Sequence, residues 1–204
     1  MKCATRKFVL MLSILSSALL LSAFLAPASG KNITTISGDF NLLNANINTV
    51  AVLQIDNSTK KKAASEWLRR ALIEGFESYR FYNVLKEGTI DKKLQDAGIT
   101  DIYSSSPQTI GKILGADALV YTRISAFKEK VNIAFASIET AARTQLVDMA
   151  TGKVIYDSQQ FNTNKGLTPG GIIFASLQAI KDLRDKLLKK YPLKKKVETY
   201  RRKR

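Results

Sequence analysis

The residue types that carry out most enzyme chemistry are scarce in this sequence. Its 204 residues include no histidine, and the one cysteine is Cys3. Metal sites built on histidine or cysteine, Ser-His-Asp triads and Cys-His pairs are therefore excluded. Carboxylate pairs such as Asp182 and Asp185 lie on a basic helical pattern, where we expect them to be solvated. No constellation predicts an enzyme, and we expect neither a cofactor nor a metal.

Asp56 and Asn57 are the residues best placed for a binding site. They follow the apolar run 49–55, which predicts a strand buried on both faces. Sheets of the α/β class usually place ligands beyond the carboxyl ends of their strands. A turn that caps the next helix explains the same two residues equally well. A site at Asp56 and Asn57 is thus one prediction, and a carboxylate-dependent enzyme around Asp56 is a weaker one.

The basic charge is concentrated in a C-terminal tail. Residues 181–204 contain 12 basic and 3 acidic residues, whereas residues 29–180 contain 17 and 14. A solvated terminus is one interpretation, and attraction to anionic lipid, at ~1 kcal/mol per basic residue, is another. Basic runs also bind nucleic acid, but an exported protein rarely meets it, so we expect no such partner. The candidate binding residues are Lys194, Lys195, Lys196, Arg201, Arg202, Lys203 and Arg204.

The first thirty residues are typical of an export signal. Three basic residues precede the uncharged stretch 9–25, and small residues follow it up to Ala28 and Gly30. This pattern predicts a signal peptide cleaved after Ala28 or Gly30. An uncleaved anchor is the alternative, but 17 residues span only about 25 Å of a ~30 Å hydrocarbon core. Positions 26–31 contain no cysteine, so we expect an unlipidated mature chain that is periplasmic or secreted, with outer-membrane association left open.

The body of the chain alternates between strand and helix patterns. The order β-α-β-α-α-β-β-β-α predicts a mixed α/β fold in which helices pack on one mixed sheet. Helical spacing over 64–79 places Arg69 and Arg70 on the polar face of the first helix. The predicted boundaries of the next two helices are Thr89 and Gly98, then Ser106-Pro107 and Gly115. The predicted turns between later strands are Lys128-Glu129-Lys130 and Ala150-Thr151-Gly152. The predicted apolar stripe of the last helix is Phe174, Leu177, Ile180, Leu187, Leu188 and Tyr191.

Three segments occur in an order that suggests a family. They are VAVLQIDNS at 50–58, GADALVYTRI at 115–124 and ARTQLVDMATGKVIYDSQ at 142–159. Together they resemble the periplasmic CsgG/TolB-amino-terminal-like domains, and in particular the small envelope lipoproteins that accompany CsgG-like components. The resemblance implies an assembly and interaction module whose partners are other envelope proteins, CsgG-like components among them. The sequence departs from it by lacking the lipid-bearing cysteine and the two membrane-spanning hairpins of CsgG, so we expect no channel.

These observations predict a domain organisation and a function. The predicted parts are a signal peptide at 1–30, an extension at 31–47, one CsgG/TolB-like domain at 48–190 and a basic tail at 191–204. The predicted function is that of a non-catalytic exported accessory protein, acting by protein contacts in assembly or secretion at the outer membrane. The alternative is a peripheral protein that docks on anionic lipid through its last helix and tail. Oligomer formation is compatible with either function.

Overall fold

A computed structural model describes residues 47–79, 82–131, 135–167 and 171–189. Within them, six strands form one mixed sheet and four helices pack against it, which confirms the predicted mixed α/β class. The strands are β1 (Thr49–Val52), β2 (Asp56–Asn57), β3 (Asn83–Val84), β4 (Ala118–Val131), β5 (Phe135–Asp148) and β6 (Val154–Leu167). The helices are α1 (Ala63–Glu77), α2 (Glu87–Asp96), α3 (Pro107–Leu114) and α4 (Gly171–Leu188).

The sheet joins a short parallel half to a long antiparallel half. Its strand order is β3-β1-β4-β5-β6, and β2 pairs with β4 beyond the end of β1. Strands β1, β3 and the start of β4 run parallel, because helices connect them. Strands β4, β5 and β6 are joined in sequence and pair antiparallel along their whole length. The predicted strand at 49–55 is therefore shorter than expected and ends at Val52, whereas Asp56 and Asn57, predicted as part of a turn, form a second strand that pairs with β4.

The two faces of the sheet bury different helices. We call the side that packs against α1 and α4 the upper face and the opposite side the lower face. Val50 and Val52 contribute to the upper core, whereas Ala51 and Leu53 contribute to a second core with α2 and α3. All four side chains are fully buried, which is why this stretch is apolar without alternation.

The described helices α2 and α3 cover only part of the lower face. We call Arg123–Val131 of β4, Phe135–Gln145 of β5 and Asp157–Leu167 of β6 the distal part, and the rest of the sheet the proximal part. The core beneath α2 and α3 includes no residue of the distal part. The upper core, by contrast, reaches Phe127 and Ile138 of the distal part. Within the described ranges, the distal part is thus buried against helices on its upper face only.

Local signals set several helix ends as predicted. The Ser106 hydroxyl accepts a hydrogen bond from the Thr109 N–H at 3.2 Å, and Pro107 is the first residue of α3. Gly115 ends that helix with φ at 69°. The prediction that Thr89 caps α2 is wrong, because the helix begins at Glu87 after the extended residue Lys86. The chain enters α2 directly after β3, so Thr89 already lies inside the first turn.

The predicted turn Lys128-Glu129-Lys130 is also wrong. All three residues lie in β4 and pair with β5. Lys128 and Lys130 are exposed, while Glu129 forms an ion pair with Lys61 at 2.9 Å and accepts a hydrogen bond from the Ser176 hydroxyl at 2.9 Å. Charged residues are stable in this strand because each one has either solvent or a partner.

Two predicted side-chain orientations are wrong as well. Arg69 is 4% exposed rather than on a polar face, because it forms hydrogen bonds to α2 and to β1.

Phe174 and Leu177 are exposed rather than part of the buried stripe of α4. The side chains of α4 that face the core are Ser176, Ala179, Ile180, Leu183, Leu187 and Leu188. The hydrogen bond from Ser176 to Glu129 holds the helix in this rotation. Tyr191 lies outside the described residues.

Candidate interaction surfaces

Asp56 is held by the framework of the sheet. It lies in β2 opposite Arg123 of β4, and its carboxylate forms an ion pair with that guanidinium. Its backbone N–H donates a hydrogen bond to the Tyr103 hydroxyl at 3.1 Å. The Asp56 carboxylate thus balances the charge of Arg123 on the neighbouring strand. The Asp56 backbone is held by Tyr103, which lies in the segment between α2 and α3.

Tyr103 fastens that segment to the sheet. Its hydroxyl donates to the Thr122 carbonyl at 3.0 Å and lies 3.2 Å from the Gln54 carbonyl. Its ring centre lies 5.9 Å from that of Tyr121. Burial raises the pKa of Tyr103 to about 12, so the hydroxyl is neutral at physiological pH. It therefore acts there as a hydrogen-bonding group that joins loop, β2 and β4.

Asn57 shapes the turn that leads into α1. Its Oδ1 accepts hydrogen bonds from the Thr59 N–H at 2.9 Å and from the Thr59 hydroxyl at 2.7 Å. Its Nδ2 donates to the Lys61 carbonyl at 2.9 Å. These contacts are those of the turn considered as the alternative to a binding site. A ligand site at Asp56 and Asn57 remains a prediction.

A row of paired charges crosses the lower face of the distal part. Arg143 of β5 lies opposite Arg123 of β4, and each arginine has its own carboxylate, Asp157 and Asp56 respectively. Asp157 accepts a hydrogen bond from Arg143 Nε at 2.9 Å and one from Gln145 Nε2 at 2.8 Å. The hydrogen bond to Asp157 raises the pKa of Arg143 above its usual value. Two adjacent cations are stable here because the row is electrically balanced.

An apolar cluster on the first turns of α4 is exposed. Ile173, Phe174 and Leu177 are 62%, 60% and 45% exposed, and Val131 at the end of β4 is 56% exposed. The contact between Ser176 and Glu129 brings these turns beside the end of β4. We call Ile173, Phe174 and Leu177 the α4 patch. This patch was not among the predicted sites, although five of the six residues at positions 172–177 are apolar, which is more than one buried stripe needs.

A polar cleft lies between α1, α4 and β6. Its volume is about 910 Å³. Lys186 donates to the Asn162 side chain, which donates to Asn164, and Asn164 in turn donates to Asp182. These side chains satisfy one another, so the cleft wall is a packed polar network rather than a set of groups directed at a ligand.

The described part of the chain contains neither a metal-ligand cluster nor a spanning helix. Within it, no three histidine, cysteine or carboxylate side chains gather closely enough to hold a metal ion. None of its helices combines the length and apolar character needed to cross a membrane. The predicted cleavage sites and the predicted tail residues lie outside the described residues: Ala28, Gly30, Lys194, Lys195, Lys196, Arg201, Arg202, Lys203 and Arg204.

Comparison with known proteins places the chain in a family. A family model described as "Putative lipoprotein GNA1162-like" matches residues 39–187. No curated protein sequence is significantly similar to the chain. The family match supports the part of the predicted resemblance that concerns small envelope lipoproteins. It gives no support to the predicted resemblance to CsgG.

Solved structures share the fold at low sequence identity. Lipoprotein GNA1162 from Neisseria meningitidis is 16% identical, with a TM-score of 0.53 over 70% of this chain and 99% of that one. A PelC dodecamer from Paraburkholderia phytofirmans is 12% identical, with a TM-score of 0.51 over 77% of this chain and 97% of that one. The C-terminal domain of LpoB from Salmonella enterica is 14% identical, covering 72% and 94%, but its TM-score of 0.44 is too low to bear on function.

Proposed function

This chain belongs to the GNA1162-like lipoprotein family, and on that premise we propose that it is a non-catalytic accessory protein of the cell envelope. It acts through contacts with other proteins. The observation that carries the proposal is the α4 patch, whose side chains are about half exposed or more. Contiguous apolar side chains on a protein surface usually mark a site where another molecule binds.

The polar groups of the molecule support a structural role over a catalytic one. The carboxylates of Asp56 in β2 and of Asp157 in β6 are each paired with an arginine. Catalytic acids and bases instead need a group that is free to exchange a proton with a substrate. The α4 patch offers contact area without such a group, which is suited to recruitment or assembly.

Assembly from several copies is part of the proposal. PelC, whose fold is similar, has been solved as a dodecamer. Exposed apolar side chains on a folded surface are suited to contacts with further copies of a chain. We therefore propose that this protein also works as a homo-oligomer, with the α4 patch in contact with other envelope proteins.

Photo-crosslinking in the producing cell tests the α4 patch. A photoreactive phenylalanine analogue replaces Phe174, and a matched variant carries it at Gln95, which is exposed on α2. We expect discrete protein adducts from position 174 and none of that size from position 95. Equal adducts from both positions, or none from position 174, would overturn the proposal.

Docking on anionic lipid is the second candidate function. The observation in its favour is that α4 exposes Ile173 and Phe174 and is followed in sequence by the basic tail at 191–204. Truncation after Tyr191 should leave the fold intact and abolish binding to anionic vesicles at low salt. Binding of the full chain should weaken as the Debye length falls from ~10 Å at 0.1 M salt to ~3 Å at 1 M. If the truncated and full chains bind equally, or neither binds, this function fails.

Processing of the N-terminus bears on how the protein is held in the envelope. The family is described as lipoproteins, whereas the sequence here lacks a cysteine after its apolar stretch. We propose a mature chain that begins at Ser29 or Lys31 without lipid. The intact mass of the protein from the envelope fraction measures this directly. A species that retains Met1 supports an anchor, and added acyl mass supports lipidation.

A further inference from the structure

Strand β6 leaves a long sheet edge without a partner among the described residues. It is 14 residues long, lies at the end of the sheet and pairs there with β5 only. Natural edge strands are usually short or carry prolines and several charges, since a bare edge is a template for another strand. Within β6 only Asp157 and Lys165 are charged, and there is no proline. The opposite edge, β3, is two residues long.

We propose that β6 pairs antiparallel with β6 of a second copy, around a two-fold axis at Phe161. The pairing continues one sheet through two molecules. This pairing rests on the proposed function for its cellular setting. It makes that function more specific, because it names a second copy of the chain as one partner. The surface is distinct from the α4 patch, so each can fail without the other.

The order of side chains along β6 selects this register. With Phe161 opposite itself, Asp157 lies opposite Lys165 of the second copy, and the same pair recurs on the other side of the axis. Moving the centre to residue 160 or 162 places Asp157 opposite Thr163 or Leu167, and both charge pairs are lost. Closed two-fold contacts require such a self-complementary surface. Opposite charges and aromatic pairs are the side chains that stabilise antiparallel strands.

The lower face of the distal part is suited to the contact. Phe161 lies beside Ala141 of β5, which lies beside Ala126 of β4, so an apolar row runs to the edge. Phe161 is only half-buried, and contact with its counterpart would cover it. Lys165 is exposed and forms no salt bridge within the described residues, so it is available to Asp157 of the second copy, where it joins Arg143 and Gln145 as a further donor to that carboxylate.

Single cysteines test the register in the full chain. In a Cys3→Ser background, any introduced thiol is unique. Phe161→Cys should give disulfide-linked dimers on mild oxidation, because the two Cα atoms fall within the ~4.4–6.8 Å that a disulfide spans. The matched variant Thr163→Cys lies on the same strand and face but about 14 Å from its counterpart, and it should give at least fivefold fewer dimers. Equal yields, or no dimer from either, would overturn the proposal.

Charge reversal tests the same contact without altering the buried structure. Lys165→Glu places two carboxylates opposite each other and should weaken dimerisation about tenfold in sedimentation experiments. Lys128→Glu, an exposed residue of the same face on β4, should leave it unchanged. Equal effects would overturn the proposed register. A monomer at all concentrations would show that another segment or partner covers β6, and this also overturns it.

The two surfaces are separated by comparing the variants. If the photoreactive analogue at position 174 gives no adducts while Phe161→Cys forms disulfide-linked dimers, the proposed function alone is overturned. Adducts at position 174 without crosslinking at position 161 overturn the β6 pairing alone.

Discussion

The proximal and distal parts of the sheet share strands β4, β5 and β6 but are stabilised differently. In the proximal part, β1 and the start of β4 bury apolar side chains on both faces. In the distal part, helices cover the upper face, while the lower face carries Arg123, Arg143 and Asp157. Burial stabilises the first part, whereas pairing between charged side chains lets the second remain open to solvent. The difference shows where a partner can bind without unfolding anything.

The arginine side chains follow the same division. Arg69 is 4% exposed and is enclosed by the Val52 carbonyl and by carboxylates of α2. Arg143 keeps 23% of its side chain exposed, and its partner Asp157 keeps 10%. A buried charge must be fully paired, because its desolvation is not offset by water. Removal of a charge should therefore cost more in the proximal part than in the distal part.

The largest effect should come from the proximal core. Leu53 is fully buried against α2 and α3, so Leu53→Ala should lower the free energy of unfolding by about 2–5 kcal/mol. Leu177→Ala removes the same atoms from an exposed position and should change it by less than about 0.5 kcal/mol. Urea unfolding measures both. A loss below ~1 kcal/mol for Leu53→Ala would show that the strand end is not central.

The second effect concerns the buried arginine. Arg69→Met keeps the aliphatic stem but leaves the Val52 carbonyl and the Asp91 carboxylate without their partner. We expect a loss of about 2–3 kcal/mol, below the usual figure for a buried pair because Asp91 is 34% exposed. Arg70→Met breaks an exposed pair with Glu66 and should cost less than about 0.5 kcal/mol. Similar losses for the two variants would contradict the division between buried and solvated charges.

How far these features follow from sequence depends on how local they are. The cap at Ser106 and the αL residue Gly115 follow from neighbouring residues, and both are as predicted. The pair of Arg69 with Asp91 joins residues 22 apart, and that of Arg143 with Asp157 depends on the strand register. Neither a helical period nor alternation encodes such a register. Exposure of Phe174 likewise depends on which face of α4 packs against the sheet. The apolar run at 172–177 is compatible with more than one such packing.

Alkaline pH should weaken the buried tyrosine contacts. Burial raises the pKa of Tyr103 and of Tyr156 to about 12, so the folded state holds both phenol protons more tightly than the unfolded state. Their contribution to stability is complete below pH ~10 and declines as the pH rises from 10 to 12. Urea unfolding of the wild type at pH 8 and pH 11 measures the decline.

A matched variant assigns that decline to a residue. Tyr103→Phe should be less stable at pH 8, because the Asp56 N–H and the Thr122 carbonyl lose their partner. Its stability should then fall less between pH 8 and pH 11 than that of the wild type. Parallel declines would show that the Tyr103 hydroxyl is not the titrating group.

The smallest effect should come from the open face. Asp157→Asn preserves the shape of the side chain but removes the charge that balances Arg143, which lies opposite Arg123. Arg143 keeps 23% of its side chain exposed, and the asparagine oxygen can still accept its hydrogen bond, so we expect a loss of only about 1 kcal/mol. Urea unfolding at a protein concentration where the chain is monomeric measures this loss without a contribution from association.

Lys130→Gln is the control. The Lys130 side chain is 73% exposed, so its ion pair with Glu139 should contribute almost nothing to stability. A loss for Asp157→Asn as large as that for Arg69→Met would mean that the distal face is a buried polar core, and that a partner could not bind there without disrupting the sheet.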